Sequence, residues 1–354
     1  MRLLRRGGAD AVASSRRVPA LVAVLVLAAA ATVAILLTRS SDNGAESPPP
    51  AAPSVLPLLG TRGQVPERAA LGVKLDNTER GRPQTGLAQA DVVFEEMVEG
   101  GLTRLLAVYQ SQDPDDVGPV RSARSTDLFI LAELGKPLFA WSGANPTFAA
   151  AVEAADLLDV GVGAVPDAYR RDPNRPAPYN LYAAPGQLRA AVAGDDAASV
   201  PPQPLFTYRD EGAPLSGPGV EPATTFRSTG TGGLSTRIAW EWDAASGTWL
   251  RSQDGTAHVD SDGRRIGVTN VIVRFTPYRD SGVRDSVGAV VPEADAVGEG
   301  DAWLLSGGQL QRGRWSKPSA DAPTTYLDGD GSPLRLAPGQ TWVEVLPPGS
   351  GEVG

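Results

Sequence analysis

The chain has no cysteine, one histidine, and lysine only at Lys74, Lys136 and Lys317. Without cysteine there is no disulfide framework, no thiolate metal site and no cysteine for lipid attachment. A lone histidine rules out a histidine metal cluster, and no Ser-His-Asp set can be assembled without it. That residue, His258, lies in GTAHVD ahead of a DSDG turn, a setting that reads as structural or exposed. No P-loop, G-x-S-x-G elbow or dinucleotide fingerprint occurs. Asp328-Gly329-Asp330-Gly331 resembles part of a calcium loop, but Tyr326 holds the first ligand position and Ala337 the closing one. A turn explains it better. The expectation is therefore no metal and no cofactor.

What is present is a globular composition: 42% apolar and 21% charged residues, with length enough for two domains. The first residues differ. Arg2, Arg5, Arg6, Arg16 and Arg17 precede an apolar run from Val18 to Leu37 that only Pro19 and Thr32 interrupt. At ~1.5 Å per residue, about twenty residues span a ~30 Å hydrocarbon core. Residues 1–17 thus read as a basic cytoplasmic tail and 18–37 as a transmembrane signal anchor in the cytoplasmic membrane, with everything beyond extracytoplasmic. Small residues at Ala28–Ala31 would suit a cleaved signal peptide, but such a core is shorter, ~7 to 15 residues, so the length favours the anchor. The net charge of −9 becomes −13 once the five arginines and one aspartate of residues 1–37 are set aside, which argues against nucleic acid as a partner.

Residues 38–57, rich in Pro, Ser and Ala, read as a tether. An α/β domain is expected over 58–205 and a β domain over 221–347, divided by the proline-dense stretch Ala197–Gly219. In the first, LGVKLD (Leu71–Asp76) is a strand, Asp91–Tyr109 a hairpin, and helices follow within Gly118–Leu134, over Thr147–Leu158 and over Pro185–Val192. In the second, RIAWEWD, TWLRS, VTNVIVRF, AWLLSGG, TTYLD and TWVEVL are short strands, which makes the whole α+β. Their tryptophans could line a carbohydrate-binding face, but large aromatics more often form the core of such a unit.

Charge at strand positions marks the candidate site. Reading Gly100-Gly101 as a two-residue turn sets Glu99 opposite Leu102, Met97 opposite Arg104 and Glu95 opposite Leu106, so that Glu95, Glu99 and Arg104 share one sheet face. Glu95 and Glu99 are then about 13 Å apart at ~3.4 Å per residue, against the ~5 to ~9.5 Å of glycosidase carboxyl pairs. An ion-paired ladder or an anchored polar ligand fits that spacing better. In GPVRSAR, Arg121, Ser122 and Arg124 fall where a helix should start, with Ser122 or Ser125 as its cap, an arrangement suited to phosphate, sulfate or carboxylate. The competing expectation is that these arginines simply pair with Glu95, Glu99 or Asp127.

Several segments carry a family resemblance: KLDN (Lys74–Asn77), RPQTGLAQADVVFE (Arg82–Glu95), VEGGLTR (Val98–Arg104), GPVRSAR (Gly118–Arg124), TYLD and PGQTWVEVLP. Together they resemble the YerB-like family, domain of unknown function 3048, across most of residues 58–347. The resemblance implies a bacterial exported protein with a layered β-β-α arrangement, an N-terminal α/β part followed by a mostly antiparallel β part. Many members resemble lipoproteins; here a membrane anchor stands in for the absent cysteine. Tyr179 departs from the histidine that the family pattern has before Asn180, and no activity comes with the family. The resulting expectation is an extracytoplasmic cell-envelope protein that holds a polar or anionic ligand. Asp76, Asn77, Arg82, Glu95, Glu99, Arg104, Arg121, Ser122, Arg124 and Asn180 would line the pocket. The rivals are an envelope glycan or peptide hydrolase or transferase using Glu95 and Asp76, and a structural scaffold without a pocket.

Overall fold

Alternation of side chains along Leu71–Asp76 (β1) organises the architecture: Leu71, Val73 and Leu75 enter one core, while Gly72, Lys74 and Asp76 face the other way. The computed structural model describes residues 54–285 and 287–354, which belong to one unit, Pro53–Gly354. The expected anchor and most of the tether lie outside the described residues. Among those described, no helix is long and apolar enough to cross a membrane.

After β1 come Val92–Met97 (β2), Thr103–Tyr109 (β3), helix Ser125–Leu131 (α1), Leu138–Ala140 (β4), helix Pro146–Ala154 (α2), Leu158–Asp159 (β5) and helix Pro185–Ala191 (α3). The later strands used below are Ile238–Asp243 (β6), Thr248–Gln253 (β7), Asn270–Phe275 (β8), Gly298–Ser306 (β9), Gln309–Lys317 (β10) and Thr341–Leu346 (β11). Leu158, expected to end the second helix, instead begins β5. Among the described residues an eleven-stranded sheet runs Thr325–Leu327, β10, β9, β8, β11, β2, β3, β1, β4, β5, with Val220–Pro222 beside β10. The two sequence segments therefore share one sheet, joined where β11 pairs in parallel with β2 on one side and β8 on the other.

One face of this sheet carries α1, through Ile130 and Leu131 against Leu106, Val108 and Phe139. Against the other face packs a second sheet containing β6 and β7, whose Trp240 and Trp249 meet Val93 and Trp342. The order sheet, sheet, helix is the expected layering, and the fold is α+β. Trp240, Trp249, Trp315 and Trp342 are each at most 1% exposed, so these aromatics are core.

The hairpin register differs from the expectation by one residue. Glu95 lies opposite Leu105, Glu96 opposite Arg104 and Met97 opposite Thr103. The loop has three residues, Glu99 joining Gly100 and Gly101, and Val98 N–H donates to the Leu102 carbonyl across its mouth. Because side chains alternate, a one-residue slip changes which partners share a face. Arg104 thus stands beside Glu96, while Glu95 faces the second sheet.

Gly101 has φ 70°, and a Cβ there would come 2.0 Å from the Gly233 carbonyl oxygen. Its own carbonyl accepts from Ser235 N–H, so this turn is one of the places where the first segment touches the second. Gly101→Ala should cost about 1–3 kcal/mol through backbone strain, measured by chemical denaturation. Gly100, also at positive φ but with nothing within 4 Å of its virtual Cβ, is the control.

Candidate functional site

On the helix-covered face, Lys74 is fully buried and reaches both Glu96 and Asp127, the latter at 2.7 Å. Asp127 also accepts the Arg124 backbone N–H at 2.7 Å, so the start of α1 is closed by its own carboxylate. The helix has seven residues with Arg124 as its cap; neither Ser122 nor Ser125 fills that role. Burial, then Asp127, pushes the Glu96 carboxyl up to about 7, with Lys74 pulling it back.

Next to this triad three arginines meet. Arg124 binds Glu99 through Nε and Nη2, both at 2.7 Å. Arg121 pairs with Asp76 at 2.7 Å, in a geometry that does not aim its N–H at the oxygen, and its guanidinium lies 5.6 Å from the Tyr179 ring centre. Arg104 is different. It is 9% exposed, and among the described residues no carboxylate lies within salt-bridge distance of it. Among the described residues its guanidinium donates once, from Nη1 to the Ser122 carbonyl at 3.0 Å, an oxygen that Arg124 Nη1 also reaches at 3.4 Å. Asp76, directly opposite Arg104 on β1, is taken by Arg121, and Glu99 is taken by Arg124. Burial, then Arg124 and Arg121, push the Arg104 guanidinium down to about 10, against the pull of Glu99 and Asp76.

The opposite face holds a closed polar network. Arg251, fully buried on β7, donates to both oxygens of Glu95 at 2.8 and 2.7 Å, to Gln253 at 2.9 Å and to His258 Nδ1 at 2.8 Å. Arginine only donates, so Nδ1 is the lone-pair nitrogen and Nε2–H donates to Gln84 Oε1 at 2.7 Å. Burial and the charges of Arg251, Arg82 and Arg265 hold His258 neutral. Asn77 and Thr103 also donate to Glu95, and Trp342 lies 4.9 Å below the Arg251 guanidinium. Glu344 is paired in the β-ladder with Glu95, and burial followed by Glu95's charge drives its carboxyl well above the usual carboxylate range. Its Oε1 accepts from Trp240 Nε1 at 2.8 Å.

The anticipated pocket is therefore divided by the sheet. Asp76, Glu99, Arg104, Arg121, Arg124 and the Ser122 carbonyl gather on the helix side. Asn77 and Glu95 belong to the network between the sheets, and Arg82 approaches Asp254 at 3.5 Å. Asn180 binds Arg171 at 2.9 Å. Glu95 and Asp76 do not converge, and Glu95 is wholly enclosed. Lys74, Glu96, Arg251 and Glu344 were not anticipated, and Asp127, expected as an ion-pair partner of the arginines, instead takes the Arg124 backbone N–H and Lys74. A signal existed for Arg251, which shares a strand face with Trp249 and Gln253, all three buried. The fragment at Asp328 is a turn in which Asp328 Oδ1 accepts from Asp330 and Ser332 N–H.

Fold and site together define an α+β protein of two segments woven into one sheet, with a buried ionic network on each face. Two family descriptions match: "Protein of unknown function (DUF3048) N-terminal domain" over residues 58–198 and "Protein of unknown function (DUF3048) C-terminal domain" over residues 231–343. The chain belongs to this family. It is 28% identical over 306 residues to "Putative lipoprotein YerB" of Bacillus subtilis (strain 168), covering 82% of this chain and 86% of that protein. The crystal structure of the YerB protein from Bacillus subtilis shares the fold, with a TM-score of 0.72 at 24% identity, covering 85% of this chain and 99% of that one.

Proposed function

We propose that this is a membrane-anchored, extracytoplasmic cell-envelope protein that binds an anionic group at Arg104, with Arg121 and Arg124 beside it. The observation that carries the reading is an almost buried guanidinium lacking a carboxylate partner among the described residues, while Asp76 and Glu99 are committed to other arginines and Glu96 beside it to Lys74. A desolvated, unpaired charge destabilises a fold unless something binds it. Asp76 and Glu99 act as supports, fixing the flanking arginines so that their remaining N–H groups can reach an oxyanion. The address rests on the apolar run at 18–37, and the relative whose name carries the word lipoprotein points to the same compartment.

Arg104→Gln separates this reading from a purely structural one. The purified full-length chain should gain thermal stability from millimolar phosphate or sulfate, and the variant should not. Without anion the variant should melt at or above the wild-type temperature, because a buried repulsion is relieved. An anion response that survives in the variant removes Arg104 from the site.

A further inference from the structure

Strands β1, β4 and β5 run parallel, so their carboxyl ends lie along one edge of the sheet. Asp76, Trp141 and Asp159 stand at those ends, the edge where open α/β sheets place their ligands. Trp141 stacks on Phe139 at 6.2 Å with the rings 7° from parallel, and so projects to the same helix-covered side as Asp76. It lines a groove of ≈ 790 Å³ between α2 and the loop after β5. Asp159 Oδ1 fixes the indole by accepting Trp141 Nε1–H at 2.7 Å and also takes Gly161 N–H at 2.8 Å. The other wall carries Glu153, and small residues such as Ala150 and Gly163 leave the floor open.

This groove borders the backbone of the arginine-bearing segment. Ser142 N–H donates to the Arg121 carbonyl at 3.0 Å, and Ala123 N–H to the Gly143 carbonyl at 3.1 Å. The groove's edge is thus bonded to the same short segment whose Ser122 carbonyl receives Arg104. A flat apolar ring face, carboxylate acceptors and no cation in the lining suit a pyranose: its C–H face rests on the indole and its hydroxyls donate to Asp159 and Glu153. Those carboxylates repel a phosphate, which the arginines next door attract, so the charge pattern also sets the ligand's direction.

Building on the anion site proposed above, we infer that the ligand is a sugar phosphate, its phosphate on Arg104 and its ring in the Trp141 groove. Calorimetric titration of the full-length chain with glucose 1-phosphate, glucose and inorganic phosphate tests this. The sugar phosphate should bind at least about tenfold more tightly than inorganic phosphate, the effect of one well-made aromatic contact. Ala150→Trp, at an exposed helix position, fills the groove without touching the core. It should bring glucose 1-phosphate down to the affinity of inorganic phosphate and leave inorganic phosphate unchanged; Trp141→Ala should do the same. Equal affinities in the wild type, or an Ala150→Trp variant that binds glucose 1-phosphate normally, overturn the groove while sparing the arginine site. Absence of any phosphate binding overturns both.

Discussion

Replacing Arg251 with methionine should lower stability by about 3–5 kcal/mol, the cost of leaving a buried charge without its partner. Arg251 satisfies both oxygens of a fully enclosed Glu95 and also orders Gln253 and His258. Methionine fills much of the space against Trp342 but donates nothing, so Glu95 is left beside the carboxyl of Glu344 with only neutral donors. Equilibrium urea unfolding gives the loss directly. Adding Glu95→Gln to the variant should recover part of it, because the stranded charge disappears. If the single variant unfolds within about 1 kcal/mol of wild type, the network is not what binds the second sheet to the first.

Lys74→Met should be similarly damaging, about 3–5 kcal/mol, since it strands Glu96 and Asp127 under α1. Here pH supplies a second readout. The folded Glu96 carboxyl is raised to about 7 from an ordinary 4.5. Across that window the folded state keeps a proton that the unfolded state has released, so stability falls as pH rises and this contribution levels off above about 7. Glu344 contributes a slope of the same sign, so the difference between wild type and Glu96→Gln isolates Glu96. Without the Lys74 ammonium the folded Glu96 carboxyl rises further, and the deficit of Lys74→Met should widen between pH 7 and pH 9. A deficit that is constant with pH would falsify the proposed coupling.

Strand identity was legible in the sequence wherever apolar periodicity decided it: β1, β2, β3 and the short strands of the second segment stand where branched and aromatic residues put them. Register was not. Two adjacent glycines fit a two-residue turn as readily as the end of a three-residue loop, and the structure takes the latter, with Gly101 held against Gly233 and Ser235. That single step moved Glu95 to the far face and separated it from Arg104. The arginines of GPVRSAR were legible as a group, but their division into two paired and one unpaired depends on Asp76 and Glu99 arriving from other elements. Glu344 gave no warning, since one acid within TWVEVL resembles an outward-facing residue until β2 and β8 enclose it on both sides.

The position of β11 in the sheet has a temporal meaning. It occupies the centre, yet its neighbour β2 precedes it by about 250 residues. Until Thr341–Leu346 arrives, β2 and β8 each present an open edge, and neither carboxyl of the Glu95–Glu344 ladder pair has its neighbour. Contacts of such long sequence separation form late and slowly. The first segment can pair β1, β3 and β2 within itself, but it must carry β2 as an open edge until the second segment supplies the strand that closes it.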